Sequence, residues 1–140
     1  MRYCMTFLLA VLMTAVAGCR PPSNPEAEAA ALKAAKAWVL LIDEGRYAES
    51  WDASSSYFQN LVSKEEWTNQ LRGVRGPLGK NLSRQVKARQ YRTTLPGAPD
   101  GEYVIVQFQS SFEHKNAALE GVTPVREKDG TWRAMGYVVK

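Results

Sequence analysis

The hydrophobic period changes once along this chain, and the change falls at Gly76-Pro77. Before that pair, apolar side chains recur three and four residues apart, as on one helix face; after it they alternate, as on one strand face. Helices gathered first and strands afterwards leave no crossover helices between successive strands, so a parallel sheet is disfavoured. The order predicts an α+β fold, with about three N-terminal helices packed on a curved four-stranded antiparallel sheet.

Asn24 has the chemistry of a helix N-cap, with Pro25 at the first helical position and Glu26 and Glu28 in the first turn, where the positive end of the dipole favours them. Ala27, Ala31, Ala34, Ala35, Trp38, Leu41 and Ile42 then form one apolar face, and Gly45 marks the stop. Tyr47 and Trp51 stand four apart in a short second helix whose end is weakened by Ser54, Ser55 and Ser56. Ser63 and Glu66 have capping-box spacing and open a third helix. In it Trp67, Leu71 and Val74 share a face, Arg72 and Arg75 occupy the last turn, and Gly76-Pro77 ends it.

A polar, β-tolerant stretch runs from about Leu82 to Leu95, followed by the turn Pro96 to Gly101. Between Glu102 and Glu113 the alternation is clean: Val104, Val106, Phe108 and Phe112 on one face, Tyr103, Gln107, Gln109 and Glu113 largely on the other. A further strand covers about Ala117 to Glu127, with Pro124 suggesting an edge or a bulge. Asp129-Gly130 joins it by a tight hairpin to Thr131 to Val139.

Ahead of all this, Arg2 precedes an apolar run from Phe7 to Gly18 in which Thr14 alone is polar. A bilayer span needs roughly 20 apolar residues, so the run is too short for a mature membrane helix and fits a signal-peptide core. It ends Val16-Ala17-Gly18-Cys19, which resembles the lipobox of bacterial lipoproteins, where the thiol takes a diacylglycerol. The same residues contain Ala15-Val16-Ala17, an ordinary secretory cleavage pattern that would release a soluble product. The lipoprotein reading divides the chain into a signal peptide at 1–18, a stiff Pro-rich tether at 19–25 and a single domain at 26–140. Each acyl chain would bury about 0.8 kcal/mol per CH2, so a multiply acylated Cys19 anchors without a spanning helix. Arg20 is not the aspartate that retains many lipoproteins at the inner membrane, and by that resemblance the outer membrane, facing the periplasm, is expected.

The two cysteines are Cys4 and Cys19, and His114 is the single histidine. With Cys19 acylated and Cys4 lost with the signal, a disulfide, a thiolate metal site and a cysteine nucleophile are excluded from the domain. No metal and no cofactor are expected.

Four segments carry a family resemblance: DEGRYAESW (Asp43 to Trp51), RGPLGKNLSR (Arg75 to Arg84), LPGAPDGEYV (Leu95 to Val104) and EKDGTWRAMGY (Glu127 to Tyr137). In this order they resemble the bacterial family catalogued as domain of unknown function 4019, over roughly Ala30 to Lys140. The resemblance implies a small exported or lipid-anchored protein and supplies no catalytic residues. Helices followed by a curved antiparallel sheet is also similar to the cone of nuclear transport factor 2-like proteins, an analogy of fold alone.

Charge is the remaining anomaly. Arg72, Arg75, Lys80, Arg84, Lys87, Arg89 and Arg92 fall in a stretch, Asn69 to Ala98, that holds no Asp or Glu. One reading is a surface for an anionic envelope component or protein, with Arg75, Arg84 and Lys87 as the candidate binding residues; outside the cytoplasm, nucleic acid is not the expected partner. The other is a solvated strand whose basic residues pair across the sheet with Glu113, Glu120 or Glu127. Asp43, Tyr47, Asp52, Glu102 and Tyr137 have acid-base chemistry, but no spacing pairs them, so a non-enzymatic binding domain is expected. The alternative is a small-molecule-binding cone, with simple acid-base chemistry at most.

Overall fold

The computed structural model describes residues 21–140; Cys4, Cys19 and the apolar run between them lie outside the described residues. Four helices come first, α1 (Pro25–Asp43), α2 (Tyr47–Asp52), α3 (Ser56–Leu61) and α4 (Lys64–Leu78). Four strands follow, β1 (Asn81–Arg92), β2 (Tyr103–Phe112), β3 (Lys115–Arg126) and β4 (Trp132–Val139), in one antiparallel sheet ordered β1-β2-β3-β4. The expected α+β class and helix-then-strand order hold.

The helix starts follow the cap chemistry. The Asn24 side chain accepts from the Ala27 N–H at 3.1 Å. At α4 the Glu66 N–H donates to Ser63 Oγ at 3.2 Å while the Ser63 N–H donates to Glu66 Oε2 at 3.0 Å, a complete capping box. The serine run after Trp51 does more than weaken a helix end. Ser55, in extended backbone, accepts the Phe58 N–H at 3.1 Å and so starts the additional helix α3.

Two expectations for α4 are corrected. The helix passes through Gly76-Pro77 to Leu78. The residue before proline is normally driven from helical backbone by a clash involving its Cβ, and Gly76 has none. Val74 is 45% exposed, whereas Arg75 is 5% exposed and follows Trp67 and Leu71 on the buried stripe. Spacing of four from Trp67 selects Leu71 and then Arg75. On α1, similarly, Val39 is buried where Leu41 is half-buried.

Register shifts occur in all three strand pairs. Pro124 lies at the shift between Val122 and Pro124 in the central strand β3, so the bulge reading holds there and the edge reading does not. Ala31, Ala35, Trp38 and Ile42 of α1 fill the space over Val104, Val106, Phe108 and Val122 of the sheet. The alanines at the start of α1 let helix and sheet approach closely. Trp67 stacks on Trp38 with ring centroids 6.0 Å apart and meets Phe58 edge-on at 4.9 Å. Both indoles spend their N–H on Ser50, Trp38 on its carbonyl at 2.7 Å and Trp67 on its hydroxyl at 3.0 Å. Trp51 donates to the Val62 carbonyl at 2.8 Å.

Candidate functional site

The densest polar constellation lies where the C-terminal ends of α1 and α4 meet the sheet. Asp43 closes α1, where the negative end of the helix dipole disfavours a carboxylate, and two guanidinium groups offset that position. Arg75 of α4 donates to Asp43 Oδ1 at 2.8 Å; Arg84 of β1 donates to Oδ2 at 2.6 Å and to Oδ1 at 3.0 Å. Arg84 reaches on to Glu120 of β3, with Nε to Oε1 at 2.8 Å and Nη2 to Oε2 at 3.2 Å. Glu120 is fully buried and also accepts hydroxyl hydrogen bonds from Tyr137, at 2.6 Å, and from Ser110. The network thus joins two helices to all four strands.

Its electrostatics follow from the pairing. Burial pushes the Asp43 carboxyl upward, but the hydrogen bonds and charges of Arg84 and Arg75 outweigh burial and hold it below the ordinary carboxylate value. Burial raises the Tyr137 hydroxyl far above its ordinary value, and the Glu120 charge adds to the shift, so it stays a neutral donor. Two arginines against two carboxylates leave the cluster with no net formal charge. Each carboxylate oxygen of Asp43 and Glu120 already accepts from a donor of the same chain. The guanidinium planes lie over aromatic rings, Arg75 over Phe112 at 4.9 Å and Arg84 over Phe108 at 5.9 Å. Arg75 Nε is buried without a partner.

The residues singled out from sequence therefore separate. Arg75 and Arg84 come together, but around Asp43 and Glu120, so their charge is matched within the chain. Lys87 stands apart on the exposed edge strand, as the extra residue of the bulge between Val86 and Ala88. The cross-sheet alternative anticipated Glu120 as a partner, and Arg84 reaches it across β2. Asp52 pairs with Lys64 at 2.6 Å, and Glu102 accepts from Tyr91 at 3.1 Å and Arg126 at 3.0 Å. Asp43 and Tyr137 join the cluster; Tyr47 is half-buried against the core. His114 lies in the tight β2–β3 turn and is exposed. Among the described residues no group of three His, Cys, Asp or Glu side chains could hold a metal ion.

Beside the cluster, an open groove of about 470 Å3 runs between α1 and β1. Val39 and Phe108 form its floor, Leu40 and Val86 its walls, and Lys36 and Gln85 its rim, with Arg84 behind. Another hollow, of about 400 Å3, holds Glu127, whose carboxylate accepts the Ser56 N–H at 2.8 Å at the start of α3. The LPGAPDGEYV connection is pinned at its tip: Tyr57 donates to the Gly97 carbonyl at 2.9 Å, Tyr103 to the Pro99 carbonyl, and the Gly101 N–H to Thr93 at 3.0 Å.

Residues 34–137 match the model of a family described as Protein of unknown function (DUF4019). No curated protein matches the chain.

Proposed function

The chain belongs to the DUF4019 family, whose description carries no activity, and we propose that the protein is a non-enzymatic binding domain of the bacterial envelope. In this reading it is acylated on Cys19 and held at the outer membrane, facing the periplasm, where it binds an envelope protein or an anionic component. The observation that carries the non-enzymatic part is the closure of the Asp43, Arg75, Arg84, Glu120 and Tyr137 network. A general base needs a pKa near the working pH and freedom from tight ion pairs at the proton it takes. Asp43 is ionised, and all four carboxylate oxygens of the cluster are engaged within the chain. Among the described residues no helix is long and apolar enough to cross a membrane, so in this reading attachment falls to the N-terminal lipid.

Mass spectrometry of the mature N-terminus tests the anchor. The expected species begins at Cys19 and carries acyl chains, and Cys19→Ala moves the protein from the membrane fraction to the soluble one. An unmodified chain that begins at Gly18 overturns the anchor. Photo-crosslinkers placed over the whole surface in living cells test the binding role, which fails if no face captures a partner.

A further inference from the structure

We propose that the outer edge of β1, together with the groove beside it, docks a short extended segment of a partner protein that alternates acidic and apolar residues and adds to the sheet as a fifth strand. This deepens the binding role proposed above and rests on it. The sheet order leaves β1 bonded to β2 alone. A free strand edge offers main-chain donors and acceptors to any extended chain, and side-chain pockets alongside it supply selectivity. Here the groove between α1 and β1 lies where the helix-side residue of an added strand would fall. Exposed apolar side chains line this seam: Leu40 is 53% and Val86 40% exposed.

Edge strands are normally blunted against uncontrolled pairing by bulges and lysines. β1 carries register shifts at Leu82 and at Lys87, and between them Ser83 to Val86 keeps regular register with Ser111 to Phe108. That geometry admits a segment of a few residues and opposes long, unregulated stacking.

Charge selects the occupant. Arg75, Arg84 and Arg89 pair within the chain, but among the described residues Lys36 on the groove rim and Lys87 on the strand itself stand in no ion pair. Glu113 lies beside Gly79 at the start of the strand, and Lys87 has no acidic neighbour along β1. A second copy of this chain, pairing β1 against β1, would bring two basic strand edges together, and like charges at close range oppose a strand pair. Acidic side chains of a partner remove that repulsion.

The test uses the mature protein as purified from the cells that make it, in detergent micelles, and fluorescence anisotropy of labelled peptides. The probe alternates glutamate with valine and leucine over about seven residues; one control replaces glutamate by lysine, and another is N-methylated at alternate amides so that it cannot donate along the edge. The glutamate peptide is expected to bind at least about ten-fold tighter than either control, and to weaken as salt is raised. Val86→Glu and, separately, Lys87→Glu should each weaken it by roughly ten-fold; Lys87 is exposed, so that variant reports on the site even if Val86→Glu unfolds. Equal binding of the lysine peptide, or indifference to N-methylation and to Lys87→Glu, overturns the proposal. So does failure of every peptide while Lys87→Glu abolishes binding to phosphatidylglycerol vesicles, which would assign the seam to lipid. A concentration-dependent dimer lost in Lys87→Glu overturns it in favour of self-association. Crosslinks from other faces with none from Val86 remove the groove and leave the binding role standing, whereas no crosslinks anywhere remove both.

Discussion

Arg84 shares Asp43 with Arg75 but is the only cation paired with Glu120 among the described residues, so its removal leaves that fully buried carboxylate without a counter-ion. Replacing one partner of a buried ion pair costs about 3–5 kcal/mol, because the remaining charge has lost both water and its counter-ion. Arg84→Met keeps much of the apolar stem over Phe108 and should still lower the urea-unfolding free energy by that amount. Lys87→Ala, three residues along the same strand and exposed, should change it by no more than about 0.5 kcal/mol. Similar effects from the two would mean that the network contributes little to stability. Asp43 adds a pH signature. Its folded pKa lies below the unfolded one, so its stabilisation is present above the ordinary carboxylate value and fades as pH falls through the depressed folded value. Asp43→Asn should therefore flatten the fall in urea midpoint on acidification below about pH 4, while Glu66 and Asp129, also held low by local hydrogen bonds, keep part of the slope. An unchanged slope would show that Asp43 does not couple folding to acid.

At the scale of elements, the α4–β1 connection is the tightest joint. Gly79 has φ +74° and ψ −159°, a region that is essentially reserved for glycine, and an added Cβ would stand 2.9 Å from Glu113 Cβ. Gly45 shares the positive φ, at +74°, but its added Cβ would meet nothing within 4 Å. Thermal unfolding should therefore show Gly79→Ala costing on the order of 2–3 kcal/mol and Gly45→Ala about 1 kcal/mol. Equal costs would mean that backbone strain alone matters and that the β2–β3 turn yields to the methyl. The same elements show what could be read from sequence. Periodicity and cap chemistry found α1, α4 and the three strands after Pro96 nearly to their ends, because local patterning dictates them. α3 was missed because three serines look like a helix end until one of them is seen to cap the next helix. The cluster was half legible: spacing of four after Trp67 and Leu71 places Arg75 inward, and alternation through Ala118, Val122 and Pro124 places Glu120 inward. Their meeting with Asp43 was not, since it depends on how α1 crosses the sheet. The seven-cation stretch thus splits into buried and exposed members for a tertiary reason that linear charge counting does not contain.

Acylation of Cys19, as proposed, would give the whole molecule an orientation at the membrane. Asn24, where α1 starts, lies beside Gly130 of the β3–β4 turn and Arg126 and Trp132 near it, while Tyr91, at the end of β1, leads into the long β1–β2 connection. Asp43, Gly79 and His114 belong to the other end, where α1 finishes and α4 meets the β2–β3 turn. Residues 20–24 separate Cys19 from α1, and a fully extended chain gains at most about 3.6 Å per residue, so acylation would hold the start of α1 within roughly 18 Å of the lipid headgroups. The connection around Ala98 would then face the bilayer and the turn around Lys115 would point into the periplasm. Spin labels at Ala98→Cys and Lys115→Cys in vesicle-bound protein separate these positions. With a relaxation agent confined to the bilayer surface, broadening is expected at 98 and not at 115, and an inserted flexible linker of about 20 residues before Asn24 should abolish the difference without moving the thermal midpoint. Equal broadening at the two positions would mean that the domain lies flat and that the tether sets no end-on orientation. In the proposed orientation a short tether would leave the β1 edge running away from the membrane, along the direction in which an extended segment of another envelope protein would lie beside it.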